Sequence, residues 1–260
     1  MLARNVANVL QYRYYETVVS SRTQARDLLW EVDLLRRLHD AQLRGKNFSA
    51  DMKPYVTPGR LWWAFDRDSA VALVGEKAEP GYPQKYKDAE RAVVLIDEID
   101  KADPDVPNNL LVPLGSLQFT VEETLEQVKT TPERAPLVFI TTNDERELPA
   151  AFLRRCVEVK LPDADEKRLM QIGKAHFPKL GVRLLKRVAE HIGRKSDAPG
   201  AATSPSPAEY LDTLRACDRL GIRPESPDWK NVVQMTLWKH GRPRPEEGDG
   251  DEEDGDDSDE

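Results

Sequence analysis

The run Ala92-Val93-Val94-Leu95-Ile96-Asp97-Glu98-Ile99-Asp100-Lys101-Ala102 sits near the middle of a 260-residue chain. Five apolar residues in succession, with no polar alternation, predict a strand buried on both faces, as in the centre of a parallel sheet. The strand delivers Asp97 and Glu98 at its carboxyl end, and that edge of an open α/β sheet is where ligands bind. Hydrolysis of a nucleotide needs one carboxylate to hold Mg²⁺, and a second can orient or deprotonate the attacking water. Adjacent residues at a strand end point in different directions, so Asp97 and Glu98 can supply both. A buried strand that merely ends in a solvated acidic turn has the same local pattern, so the flanking sequence has to discriminate.

Working outward, apolar positions at Leu2, Val6, Val9 and Leu10 predict a helix over 1–11, and Thr17, Val18 and Val19 centre a short strand over 14–20. Thr23 is a helix-capping residue before a stretch with Leu28, Leu29, Val32, Leu35 and Leu38, which predicts a long helix over 24–43. Residues 44–60 and 75–88 read as loops, and the aromatics Trp62, Trp63 and Phe65 as core. On the far side lie a helix over 105–115, a hairpin from 117–121 and 127–129, and a second buried strand at Leu137–Thr141. A short helix near 149–154 and a strand near 156–160 follow. Beyond Pro162 only helical patterns remain, over 165–176, 182–194, 207–220 and 228–239, interrupted by a linker at 195–207. The expected organisation is an α/β domain over 1–162, a small helical domain over 163–240 and a disordered acidic tail over 241–260.

Charge and composition exclude several classes. Residues 246–260 carry eleven acids and no base, which accounts for the net charge of −8; the remainder is close to neutral. No basic stripe for DNA is evident, because Lys186-Arg187 and Arg194-Lys195 are too few. Cys156 and Cys217 have neither metal-ligand nor disulfide spacing, and the four histidines are scattered, which argues against a zinc enzyme and for a reducing cytoplasm. The longest apolar run is five residues, far short of a membrane span. Arg4 and Asn5 interrupt any signal-peptide core.

The 92–102 run resembles the Walker B segment of AAA+ ATPases. By that resemblance Asp97 assists Mg²⁺ and Glu98 polarises the lytic water. Leu137-Val138-Phe139-Ile140-Thr141-Thr142-Asn143 is similar to the sensor 1 strand, which makes Asn143 the amide that bonds the γ-phosphate or the water. An amide suits that role because it donates and accepts without adding charge. Glu147-Leu148-Pro149-Ala150-Ala151-Phe152-Leu153-Arg154-Arg155-Cys156 is similar to the element carrying an arginine finger, which acts on nucleotide bound by a neighbouring subunit. Arg155 aligns best with that arginine and Arg154 is the alternative; two surface arginines favoured by a helix end have the same pattern. Thr23–Leu29 and Pro58-Gly59-Arg60-Leu61-Trp62-Trp63-Ala64 have counterparts in the MoxR-like branch, although its usual Gly-Pro-Leu is Gly59-Arg60-Leu61 here.

One required part is missing from these residues. No G-x-x-x-x-G-K-[ST] string, whose backbone N–H groups and Lys cradle phosphates, occurs. Met1-Leu2-Ala3-Arg4-Asn5-Val6-Ala7 resembles the helix that follows such a loop, so the expectation is a chain shortened upstream of Met1. The rival expectation is a degenerate subunit that lends Arg155 to a complete partner. No Arg occupies 204–210, where a sensor 2 helix would begin. The resemblance implies an α/β fold of the AAA+ P-loop type with a helical lid. It also implies Mg²⁺-dependent ATP hydrolysis, a ring homo-oligomer and chaperone-like remodelling of a client, with von Willebrand factor A proteins as companions. Two alternatives remain: a non-catalytic ring or adaptor subunit, and a GTP- or ATP-driven motor of a restriction-type system.

Overall fold

The computed structural model describes residues 2–45, 48–162, 164–193 and 206–237. The chain divides into two compact units, 1–158 and 159–260.

The first unit is built on a parallel sheet of three strands in the order β1 (Arg13–Val18), β4 (Ala92–Asp97), β7 (Leu137–Ile140). The continuous apolar run occupies the central strand, paired Arg13↔Ala92 through Val18↔Asp97 on one side and Val93↔Leu137 through Ile96↔Ile140 on the other. Side chains alternate across the sheet. Val93 and, less deeply, Leu95 and Phe139 meet Ala3 and Ala7 of helix α1 (Leu2–Leu10), whose small residues let it lie close to β4. Ala92, Val94 and Ile96 face the larger core with Tyr15, Trp62 and Trp63. Both tryptophans belong to α3 (Arg60–Phe65), all but whose first residue is buried, so the 62–65 aromatics are core. The short helix α4 (Arg67–Val74) follows, and Asp66 caps it by accepting the Ser69 N–H.

The outer edge of β1 is occupied. The Gln84 amide accepts the Tyr14 N–H at 3.2 Å and donates to the Tyr14 carbonyl at 3.0 Å, imitating a neighbouring strand and blunting the edge.

The long helix expected over 24–43 does not form. Ala25–Leu28 is a single 3-10 turn, Trp30–Val32 is strand β2, and only Leu34–Arg44 is helical (α2), capped by Asp33. The leucine spacing fits a helix, but tertiary packing overrides it. Trp30 is buried and stacks on Phe119 at 5.8 Å, with its indole N–H bonded to Glu123. β2 pairs antiparallel with β3 (Val56–Pro58), inside the expected 44–60 loop. Leu28 and Leu29 are buried, whereas Leu34, Leu35 and Leu38 of α2 are exposed.

Helix α5 (Asp105–Ser116) and the β5–β6 hairpin (Gln118–Val121, Glu126–Lys129) form as expected. Strand β7 is shallower than expected, with Leu137 exposed and Val138 to Ile140 only partly buried. The strand expected near 156–160 is not a strand: Val157 and Val159 alternate correctly but are exposed and have no ladder partner among the described residues.

The second unit is helical: α7 (Glu166–His176), α8 (Val182–Gly193), α9 (Pro207–Leu220) and α10 (Trp229–Leu237). Its core joins Leu169, Leu185, Val188, Tyr210, Leu214 and Leu237. A capping box from Ser206 and Glu209 starts α9. The linker over 195–207 lies almost wholly, and the acidic tail wholly, outside the described residues.

Candidate functional site

The register that aligns Ile96 with Ile140 puts Asp97 and Thr141 side by side at the carboxyl edge of the sheet. The ladder continues one step beyond the strands, with Thr141 N–H bonded to the Ile96 carbonyl and Ile99 N–H to the Thr141 carbonyl, both at 3.0 Å. The Thr141 hydroxyl joins the two acids. It donates a short hydrogen bond to Asp97 Oδ1 and accepts the Glu98 backbone N–H at 3.0 Å.

Glu98 is left-handed, with φ of 60°, a conformation that costs a non-glycine residue about 1–2 kcal/mol. Residues held this way concentrate at working sites because the surroundings must fix them. Here the flanking bonds from Glu98 N–H and Ile99 N–H to Thr141 do so. The Glu98 carboxylate is gripped by Lys101 Nζ at 2.8 Å, which raises the lysine pKa. Asn143 Nδ2 approaches the other oxygen, Oε1, at 3.5 Å, the outer limit of a hydrogen bond. Both members of the Lys101–Glu98 pair keep substantial solvent access, so the pair adds little to stability.

Below these groups, Asp100 is buried and accepts the backbone N–H groups of Asn143 at 3.3 Å and Glu145 at 3.1 Å. Arg146 donates to the Ala102 carbonyl at 3.3 Å, a second tie between the loops after β4 and β7.

Asp97, Glu98 and Asn143 therefore meet within hydrogen-bonding reach of one another or of shared partners. Arg154 and Arg155 do not join them. Both are exposed at the end of the short helix α6 (Ala150–Leu153), and the Arg155 guanidinium bonds to the Ala151 carbonyl of its own helix at 3.1 Å. Neither makes an ion pair among the described residues. Three residues of the cluster were not singled out by sequence reasoning. Thr141 read only as strand, and Asp100 and Lys101 only as letters of the acidic turn. A hydroxyl at a strand end beside a carboxylate is the signal that finds Thr141.

Among the described residues no group of three or more His, Cys, Asp or Glu side chains is arranged to hold a metal by itself. Mg²⁺ asks for less, because it keeps waters and binds through one or two carboxylates plus substrate phosphates. Asp97 fits that requirement: its hydrogen bond uses Oδ1, which leaves Oδ2 without a hydrogen bond among the described residues.

A parallel three-stranded sheet flanked by helices, with a helical part after it, is an α/β fold of the AAA+ type. The sequence matches the AAA domain of the dynein-related subfamily over residues 1–156, and the chain belongs to that family. Among solved structures it is similar to a candidate ATPase from Cytophaga hutchinsonii, at 13% identity and a TM-score of 0.36, over 86% of this chain and 68% of that one. No curated protein matches it. No helix among the described residues is long and apolar enough to cross a membrane.

Proposed function

We propose that the chain is a MoxR-like AAA+ ATPase subunit whose Asp97, Glu98 and Asn143 form the metal- and water-handling half of an ATP hydrolysis site. The observation that carries this reading is the bridge of Thr141 across Asp97 and Glu98, with the Asn143 amide facing Glu98. It supports a division of labour between neighbours: Asp97 binds the cation, Glu98 accepts a proton from or orients the water, and Asn143 fixes the water or the γ-phosphate. Mg²⁺ bound with the nucleotide would neutralise charge on the phosphates. Lys101 occupies Oε2 of Glu98, which leaves Oε1, the oxygen facing Asn143, to receive a proton.

The phosphate cradle, in this proposal, comes from outside residues 1–260. Helix α1 supports that assignment, because Ala3 and Ala7 lie against Val93 of the strand that ends in Asp97. The exposed Arg155 acts on nucleotide bound by the next subunit of a ring, with Arg154 as its alternative. The work done is remodelling of a client protein in the cytoplasm, beside a von Willebrand factor A partner. A second reading, a non-catalytic ring subunit that lends Arg155 to a complete partner, is supported by the exposed position of Arg155 at the end of α6.

The test is nucleotide turnover by protein purified from its own source, with Mg-ATP or Mg-GTP, with and without DNA. The proposal expects Mg²⁺-dependent ATP hydrolysis indifferent to DNA. Hydrolysis of GTP alone, and only with DNA, would replace it by the motor reading. Absence of turnover, together with Arg155-dependent stimulation of another ATPase, would replace it by the lending-subunit reading.

A further inference from the structure

Asp100 lies two residues after Glu98, and none of the roles proposed above uses it. Its residue is 3% exposed, in a 3-10 turn (Ile99–Lys101) beneath the carboxyl end of the sheet. A buried carboxylate is costly unless its oxygens are satisfied. Oδ2 is satisfied by backbone donors two residues apart, the N–H groups of Asn143 and Glu145. Oδ1 is buried with no hydrogen-bond partner. The residue between the donors, Asp144, is left-handed with φ of 57°. Successive N–H groups converging around a left-handed residue form a concave anion-binding nest. The nest's anion is the Asp100 carboxylate, supplied from 43 residues earlier in the chain.

The consequence falls on Asn143. Its backbone N–H is held by Asp100 while its side-chain amide reaches toward Glu98. At 3.5 Å that second bond is at the limit of its range, so a displacement of a few tenths of an ångström removes it. The other residues from Thr141 to Glu147 are exposed, and the remaining ties lie at the two ends, Thr141 on Asp97 and Glu98 and Arg146 on the Ala102 carbonyl. Removing Asp100 frees the middle of the loop, Asn143 to Glu145.

We infer that Asp100 is a positioning residue: by filling the backbone nest of residues 143–145 it sets the distance between the Asn143 amide and the Glu98 carboxylate. The catalytic meaning of that distance rests on the hydrolysis reading above; the positioning itself does not.

The test uses the ¹⁵N-labelled full chain, with the Asn143 side-chain amide as the reporter. At one fixed pH its resonances differ between the wild type and Glu98→Gln, and that difference is the response measured. Asp100→Ala should reduce that response at least fivefold and speed exchange of the Asn143 and Glu145 backbone amides at least tenfold. The Val93 and Val94 amides in the central strand should keep their protection, which separates release of the loop from general unfolding. Asp100→Asn keeps an acceptor oxygen for the nest and should restore most of the Asn143 response. An unchanged Asn143 response in Asp100→Ala would overturn the inference, as would a wild-type Asn143 amide that ignores Glu98. If Asp100→Ala does not fold, rapid exchange of the Glu145 amide in the wild type would overturn it equally. An Asp100-controlled Asn143 response in a protein that hydrolyses no nucleotide would count against the hydrolysis reading alone.

Discussion

Gly59 joins β3 to α3, the helix that carries Trp62 and Trp63 under the sheet, and replacing it with alanine should be costly for a purely spatial reason. Its φ of −76° and ψ of 176° suit any residue, so there is no torsional objection. A Cβ, however, would lie 2.5 Å from the Leu28 carbonyl oxygen, 2.6 Å from its carbon and 2.7 Å from the Asp27 oxygen. All three are backbone atoms and cannot rotate away. Restoring ordinary carbon–carbon contact requires a separation of about 1 Å. That movement breaks the 2.8 Å bond from Gly59 N–H to the Leu29 carbonyl. Overpacking costs about 1–3 kcal/mol and the lost hydrogen bond about 1 kcal/mol. Together they give a loss of about 2–4 kcal/mol, or about 5–15 °C in Tm for a unit of this size. Urea unfolding followed by tryptophan emission measures it, as a lower midpoint at unchanged slope. Gly115→Ala is the control. That glycine lies in helix α5 with nothing within 4 Å of its added Cβ, so alanine should stabilise by about 0.5–1 kcal/mol. A Gly59→Ala midpoint equal to that of the control would refute the packing account.

Thr141→Val removes the bridge between Asp97 and Glu98 and should lower kcat at least tenfold with little change in KM, while Thr141→Ser restores activity; steady-state kinetics decide. Arg155→Ala should leave unfolding midpoints within about 0.5 kcal/mol, because the side chain is exposed, yet abolish stimulation of a neighbouring subunit in mixing assays. Tyr210 is fully buried in the helical unit, its hydroxyl bonded to the Leu185 carbonyl at 3.1 Å, and burial pushes the phenol up to about 12. A raised folded value means the unfolded phenol ionises first. The stability that Tyr210 contributes is therefore complete below about pH 10 and declines as pH rises toward about 12. Tyr210→Phe should weaken that alkaline decline, at a cost near neutrality of about 1 kcal/mol for the unbonded carbonyl; urea midpoints across pH 8–12 test it.

The elements most legible in the sequence were those whose burial is set by their own residues. The uninterrupted β-branched-rich run Ala92–Ile96, closed by Asp97 and Glu98, forms the central strand, and four amphipathic stretches beyond Pro162 became four helices. The 24–43 segment misled because its leucine spacing is genuinely helical. Only the fit of Trp30 against Phe119, and of Gly59 against Leu28, decides that the chain there turns and pairs instead. The 156–160 segment has strand alternation but no neighbour to pair with among the described residues, and a ladder needs two strands. In the candidate site, Asp97, Glu98 and Asn143 stood out as candidates because each lies at or just beyond the end of an apolar run. Thr141 and Asp100 were not singled out, since the contacts that define them, to Asp97 and to the Asn143 N–H, span more than forty residues.

The most direct test of the hydrolysis site is a comparison of wild type with Glu98→Gln in the protein from its own source, measuring ATP retained and ATP turned over on the same sample. The substitution keeps size and hydrogen-bonding capacity but removes the proton acceptor. The account predicts that Glu98→Gln retains ATP as well as wild type does, while kcat falls by about 100-fold or more. Equal turnover by the two proteins would contradict the placement of water activation at Glu98, and with it the proposed site.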